Sequence, residues 1–227
     1  MGGLQAMIAV NDLYPTIQGE GCMTGTPVIL LRLHGCAVGC PWCDTKETWN
    51  ASGPPPASSI AEACATPAAW ALAPVVDVVE AVRHVRSGEE WVLLTGGEPG
   101  EQDIAALVAA LQDAGLSVAV ETSGTAPGVV DAAADWVCVS PKLGMPGGQH
   151  ILPPVMAMAD EVKMVVGKPS DIMALEALLA SCPTSKTRTV CLQPLSQSAP
   201  ATELCLRMVA RRGWRLSVQT HKYLNLP

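Results

Sequence analysis

At 227 residues the chain suits one domain and is long enough to bury a large core. Hydrophobic residues make up 49% of it while Phe is absent, so Leu, Val, Ala and the nine Met must fill the interior. A formal net charge of −7 with no Lys/Arg-rich run argues against a nucleic-acid groove, and no apolar run approaches the ~20 residues that span a bilayer.

The first residues, "MGGLQAMIAVNDLYP", lack a basic region followed by a long apolar stretch, so no signal peptide is expected, and regular patterning starts around Met7. Nine cysteines is an odd count without disulfide-scaffold spacing, which points to a reducing, cytoplasmic setting. Six of them (Cys22, Cys64, Cys138, Cys182, Cys191 and Cys205) are scattered and read by default as buried, inert thiols.

In chain order, "YPTIQGEG" (Tyr14–Gly21) reads as a polar segment before the first strand, with Gln18 and Glu20 set between glycines. "PVILLRLH" (Pro27–His34) is the first β-type run and leads into "GCAVGCPWC". The stretch from Glu47 to Pro74 is rich in Ala, Pro and Ser, and Pro54–Pro56 cannot sit inside a helix. It reads as a long insertion carrying one short helix, either a lid or a mobile excursion. "PVVDVVEAVRHVRS" then places Val75, Val78, Val79, Val82 and Val85 on one helix face, with Pro74 in the first turn.

Beyond it, β-type runs at Glu90–Thr95, Leu116–Glu121, Asp135–Ser140, Glu161–Val166, Thr189–Pro194 and Trp214–Thr220 alternate with helical patterns. Two of those patterns end on glycine, at Gly115 and Gly213. Apolar strands alternating with helices predict a mostly parallel sheet in one α/β domain over residues 1–227. Six or seven such units favour a full or partial (β/α) barrel over a doubly wound open sheet. In both, chemistry belongs at the C-terminal ends of the strands.

Cys36, Cys40 and Cys43 obey C-x3-C-x2-C spacing directly after the first strand, with Gly35 and Gly39 letting the backbone curl. A structural zinc site wants four ligands, and His34 is the neighbour it could borrow; buried thiols are the other plain reading. A [4Fe–4S] cube usually takes four thiolates, so three leave one iron open to a ligand that is not protein. "LLTGGEP" (Leu93–Pro99) lies at a strand end, where two glycines allow backbone carbonyls to approach an ammonium group and Glu98 adds charge.

These two motifs resemble the signatures of the radical S-adenosylmethionine superfamily. Together with "TIQGEG", "LRLHGC", "CPWCDT", "VETSGT", "VSPK", "LQPLS" and "THKYLNLP", the chain resembles the 7-carboxy-7-deazaguanine synthases of queuosine biosynthesis over nearly its whole length. The resemblance implies a radical S-adenosylmethionine partial barrel whose three thiolates hold a [4Fe–4S] cluster and whose fourth iron binds S-adenosylmethionine. It implies Mg²⁺, a 6-carboxy-5,6,7,8-tetrahydropterin substrate and a ring contraction that releases ammonia. It further implies an electron donor such as flavodoxin or ferredoxin, and a homodimer.

Site residues follow from that resemblance. Substrate would meet Ile17, Gln18, Gly19, Glu20, Arg32, Thr95, Glu121, His221 and the carboxylate of Pro227. A pterin edge rich in N–H donors suits Glu121 and Glu20, and a substrate carboxylate suits Arg32. S-adenosylmethionine would meet Trp42–Cys43–Asp44, Gly97, Ser140–Pro141–Lys142 and Gln193–Pro194–Leu195–Ser196. Thr45, rather than Asp44, would place oxygen on Mg²⁺. For Arg32 the plain alternative is a surface ion pair, and for Lys142 a solvated lysine. Competing readings of the whole chain are a glycyl-radical-enzyme activating protein, an iron–sulfur electron carrier and a zinc-stabilised binding module.

Overall fold

A computed structural model describes residues 6–49, 56–195 and 198–224. Among the described residues nine strands form one sheet in the order β3-β1-β2-β4-β5-β6-β7-β8-β9. From β2 (Pro27–Leu33) onward, β4 (Trp91–Gly96), β5 (Ser117–Thr122), β6 (Trp136–Val139), β7 (Glu161–Val166), β8 (Thr189–Pro194) and β9 (Arg215–Leu216) pair in parallel. At one edge β1 (Met7–Ile17) runs antiparallel to both β2 and β3 (Ala71–Pro74).

Two of these strands were not foreseen. "YPTIQGEG" begins inside β1 rather than before the first strand, because Tyr14 to Ile17 pair with Leu30 to Pro27. A bulge between Val10 and Asp12 breaks the period-two alternation that would have announced the strand. Of the Glu47–Pro74 segment, residues 50–55, including Pro54 and Pro55, lie outside the described residues. The remainder forms α1 (Ile60–Ala65), capped by Ser59, and the edge strand β3. Conversely, the run from Trp214 to Thr220 keeps only Arg215–Leu216 in the sheet, and residues past Ser217 turn away toward the strand ends.

Between the parallel strands lie α2 (Val75–Val85), α3 (Ala105–Asp113), α4 (Pro153–Met158), α5 (Pro169–Ser181) and α6 (Ala199–Arg212), with α7 (His221–Leu224) after β9. The expected stripe on α2 holds, with Val75, Val78, Val79 and Val82 buried and Val85 packed at its margin. Pro74 sits one residue earlier than expected, at the cap. Gly213, directly after Arg212, closes α6 in the left-handed conformation that glycine adopts without strain. Met156 and Met164 fill the core, whereas Met7 and Met173 are exposed.

The two faces of the sheet differ. Ile29, Leu31, Leu33, Val92, Leu94, Val118, Val120 and Val162 pack with the helices into one large core. On the opposite face Val28, Leu93 and Ala119 form a small apolar layer with Leu30, Trp91 and Trp136. Two residues further along each strand that same face turns polar, at Arg32, Thr95 and Glu121. The β1–β2 connection crosses this face to touch distant strands: Gly21 N donates to Ser217 Oγ at 2.9 Å and Cys22 N to Glu161 Oε2 at 3.0 Å. The sheet therefore curves around this face as a partial barrel whose β9 edge stays open among the described residues.

Because Leu94 is fully buried in the helix-side core, Leu94→Ala should lower stability by about 2–5 kcal/mol in urea denaturation. Met173→Ala, on an exposed side chain of α5, should change it by no more than about 0.5 kcal/mol.

Candidate active site

The polar layer at the C-terminal strand ends lines a cavity of about 350 Å³. That size belongs to a small-molecule site rather than a groove for a folded partner. Arg32 on β2 and Thr95 on β4 are direct register neighbours, so their side chains share the cavity face. Arg32 donates to Tyr14 Oη at 3.3 Å and has no carboxylate partner among the described residues, so the surface ion pair is not what it makes.

Lys163, in the middle of β7, organises the floor. Its side chain is 3% exposed, and Nζ lies 2.6 Å from Glu20 Oε2 and 2.8 Å from Glu121 Oε1. Gln219 Nε2 donates to Glu20 Oε1 at 2.8 Å, and Gln18 Nε2 to Glu121 Oε1 at 3.1 Å. Burial alone would raise the Glu20 carboxyl, but the charge of Lys163 and hydrogen bonds from Lys163 and Gln219 bring it down to about 2. Burial likewise disfavours the Lys163 ammonium, yet Glu121 and Glu20 hold its pKa well above the usual lysine range.

This pairing amends the expectation that both carboxylates are free to read a substrate. Both Glu20 oxygens are taken, whereas Glu121 Oε2 makes no protein hydrogen bond among the described residues. Lys163 and Gln219 escaped notice in the sequence. The signal for Lys163 was available: a lone cation inside the apolar run "EVKMVV" has to be paired once that run becomes a buried strand.

Cys36, Cys40 and Cys43 all line the same cavity. Gly35 and Gly39 are both left-handed, as the curl of the loop demands. Gly97 carries a tighter constraint, because a Cβ there would lie 2.0 Å from Gly35 O. The glycine-rich turn is thus packed directly on the cysteine loop, with Gly97 N donating to Leu33 O and Glu98 N to Gly35 O. Glu98 does not present its charge to a ligand as expected. It is buried and accepts from Gly100 N, Thr122 Oγ1 and Ser123 N, so it fastens loops together.

Burial pushes the Cys36 thiol up to about 11 and raises Cys40, where the nearby Lys142 charge works in the opposite direction. A metal centre would reverse this preference, since coordinated thiols ionise outright. His34 does not complete a zinc site with them. It is buried, stacks on Trp70 with centroids 4.7 Å apart, and does not line the cavity. Three thiols with no fourth metal-ligating side chain grouped with them among the described residues fit a [4Fe–4S] cluster with one iron left for a small-molecule ligand.

The other expected contacts divide clearly. Ile17, Gln18, Gly19, Thr95 and His221 line the cavity, and the C-terminal segment docks there through Thr220 N, which donates to Gly19 O at 2.9 Å. Trp42, Asp44, Gly97, Ser140 and Lys142 line it too, as do Gln193, Pro194 and Leu195. Lys142 is not a solvated lysine: Nζ donates to Ser140 Oγ at 2.6 Å and to Ser140 O at 3.0 Å, and burial lowers its pKa. Pro141 is buried behind the lining, and Ser196 and Pro227 lie outside the described residues. Thr45 lines the cavity with Oγ1 3.7 Å from Cys43 Sγ, whereas the exposed Asp44 faces Lys222 at 3.8 Å.

The scattered cysteines are not uniformly buried either. Cys64 is exposed, and Cys22 and Cys191 come within 3.7 Å of each other.

No protein-family model matches the chain. It is 42% identical over 219 residues to the 7-carboxy-7-deazaguanine synthase of Escherichia coli K12, covering 96% of this chain and 98% of that one. The chain belongs to the 7-carboxy-7-deazaguanine synthase family. The synthase of Flavobacterium psychrophilum is 35% identical over 225 residues, covering 97% of this chain and 93% of the relative. The crystal structure of QueE from Escherichia coli superposes with a TM-score of 0.86 at 39% identity, covering 94% of each chain. The chain is therefore an enzyme fold of this family, and the glycyl-radical activating reading has no support among its relatives.

Replacing Lys163 by Met would leave Glu20 and Glu121 buried without their cation, a loss expected to cost about 3–5 kcal/mol at pH 7. In the native protein Glu20 titrates below its ordinary value, so its contribution is present above about pH 4.5 and fades as pH falls toward about 2. In the variant burial raises the Glu20 carboxyl, so protonation stabilises the folded form as pH falls. Urea denaturation of both proteins at pH 7 and pH 5 should show the gap narrowing; a constant gap would refute the assignment.

Proposed function

We propose that this chain is a radical S-adenosylmethionine enzyme converting 6-carboxy-5,6,7,8-tetrahydropterin to 7-carboxy-7-deazaguanine with loss of ammonia, in queuosine or another 7-deazapurine pathway. The observation that carries the reading is convergence. Three clustered cysteines, an arginine with no carboxylate partner among the described residues and an anchored carboxylate all face one small-molecule cavity.

Cys36, Cys40 and Cys43 would hold the [4Fe–4S] cluster. With S-adenosylmethionine bound, it supplies the one-electron chemistry that removes a substrate hydrogen. The chain's own residues bind and orient. Gly97, Ser140 with Lys142, and Gln193 stand at the ends of β4, β6 and β8 around the cysteine loop, which suits a ligand spread across the barrel mouth. Gln193 is fixed by Ser217, whose hydroxyl donates to Gln193 Oε1 at 2.8 Å.

Arg32, which has no carboxylate partner among the described residues, is the partner for the substrate carboxylate, and the fork geometry of its guanidinium suits it. Glu121 Oε2 is the acceptor for the N–H edge of the pterin, while Lys163 and Gln18 hold the other oxygen in place. Glu20 acts through its position, tying the Gln18–Gly19–Glu20 backbone and Gln219 around the same edge. His221 closes this side. Gly19 is packed so closely on it that a Cβ would lie 2.6 Å from Nδ1.

Thr45 is the proposed Mg²⁺ ligand, supported by its place in the lining and by the engagement of Asp44 with Lys222. The roles of Ser196 and of the Pro227 carboxylate rest on the resemblance alone. So do the homodimer and an electron donor such as flavodoxin or ferredoxin. One continuous sheet supports a single domain over 1–227, in which the Glu47–Pro74 insertion adds a helix and an edge strand. Nine cysteines without disulfide-scaffold spacing support a reducing, cytoplasmic setting. Among the described residues no helix is long and apolar enough to cross a membrane.

The deciding experiment incubates cluster-reconstituted protein anaerobically with the pterin, S-adenosylmethionine, Mg²⁺ and a reductant. The deazaguanine product should appear, and thorough chelation should lower turnover while leaving iron content unchanged. Cleavage of S-adenosylmethionine without any product would overturn the reading.

Arg32→Gln should keep its iron yet lose about tenfold to a hundredfold in kcat/KM, the loss of a charge-assisted hydrogen bond of roughly 1.5–3 kcal/mol. An unchanged kcat/KM would assign the substrate carboxylate elsewhere.

A further inference from the structure

One layer deeper in the barrel than Lys163 and Gln193, a second set of metal-ligating side chains converges. Glu161 precedes Lys163 by two residues on β7, and Cys191 precedes Gln193 by two on β8, so both face the barrel interior. Cys22 reaches them from the β1–β2 connection. One ligand atom from each of the three lies within 4.8 Å of the other two.

Two details point to a cation. The sulfur atoms of Cys22 and Cys191 are 3.7 Å apart. Two thiolates on one tetrahedral zinc, each about 2.3 Å from the metal, sit about 3.8 Å apart, whereas disulfide sulfurs lie about 2.05 Å apart. The second detail is Glu161, a carboxylate with only 2% exposure. Its Oε2 accepts from Cys22 N, its Oε1 has no partner, and it forms no ion pair among the described residues. A buried carboxylate is costly unless a cation answers it. Lys163 is already committed to Glu20 and Glu121, and Arg215, the register neighbour of Cys191, is solvent-exposed.

The backbone is shaped to the site. Gly21 has φ of +65°, and a Cβ there would lie 2.2 Å from Glu161 Oε1, so no other residue lets the loop rest on that carboxylate. A dication would displace both thiol protons and be answered by two thiolates and Glu161.

We propose that Cys22, Cys191 and Glu161 form a structural site for a thiophilic divalent cation of the zinc type, with water as the fourth ligand, distinct from the cluster cysteines. Its role is to clamp the β1–β2 connection, which carries Gln18 and Glu20, onto β7 and β8. The site stands whether or not the proposed reaction is correct.

The test uses cluster-loaded protein, titrated anaerobically with Zn²⁺ and passed through gel filtration before zinc and iron are both counted. About one zinc per chain should be retained with iron unchanged, and Tm should rise. Cys22→Ala/Cys191→Ala should retain no zinc, keep its iron and show no zinc-dependent rise. Glu161→Gln, which keeps both thiols and the side-chain shape, should bind zinc roughly tenfold more weakly or worse. Equal retention by native protein and the double variant, zinc matched by lost iron, or no retention at micromolar zinc would each overturn the proposal. Loss of two thiols in air with no zinc retained would assign the pair to a disulfide instead.

Discussion

The structure turns on the placement of one ammonium group. Lys163 is buried on β7 between Glu20, from the β1–β2 connection, and Glu121, from β5, so one side chain ties three separated parts of the chain. Buried charges of this kind are tolerated only when geometry and additional hydrogen bonds satisfy them, which is the function of Gln18 and Gln219. Since Gln18 lies in the β1–β2 connection and Gln219 after β9, the triad also joins that connection to the C-terminal segment. An apolar replacement would fill the volume but leave the loop and the C-terminal segment without a shared anchor.

The same triad depends on strand parity. Successive side chains alternate across a sheet, so Glu161, Lys163 and Val165 share one face while Val162, Met164 and Val166 share the other. A one-residue slip of β7 would place Lys163 among the helix-side apolar residues. Register is secured because Val162, Met164 and Val166 are buried in the large core and Lys163 has its carboxylates on the other side. Hydrophobic burial and ion pairing therefore specify the same pairing.

What could be read in advance follows from these constraints. Strands such as Glu161–Val166 and Thr189–Pro194 were legible because they are mainly apolar, β-branched runs bounded by turn signals, and the cysteine and glycine motifs because their spacing carries chemistry. β1 was not, since its bulge disrupts alternation and Pro15 argues against a strand interior. Glu20 and Glu121 were found without their common partner, because a contact between residues 143 and 42 positions apart leaves no local mark. The convergence of Cys22 with Cys191 was hidden for the same reason, at a separation of 169 residues.

Glu98 fastens the cysteine loop to the sheet through the protein's own hydrogen bonds. Its backbone N–H donates to Gly35 O, which fastens it to the loop that opens the cysteine segment. Its carboxylate accepts from Thr122 and Ser123 at the end of β5, the strand that carries Glu121. One buried residue thus links the loop of the three cysteines to the strand that presents the proposed acceptor for substrate. Preorganisation of this kind matters in radical chemistry, where the protein's contribution is to hold reacting partners in register and shielded. Had Glu98 faced a ligand directly, as its motif first suggests, that linkage would be lost, and the spacing between cluster and substrate would rest on flexible loops.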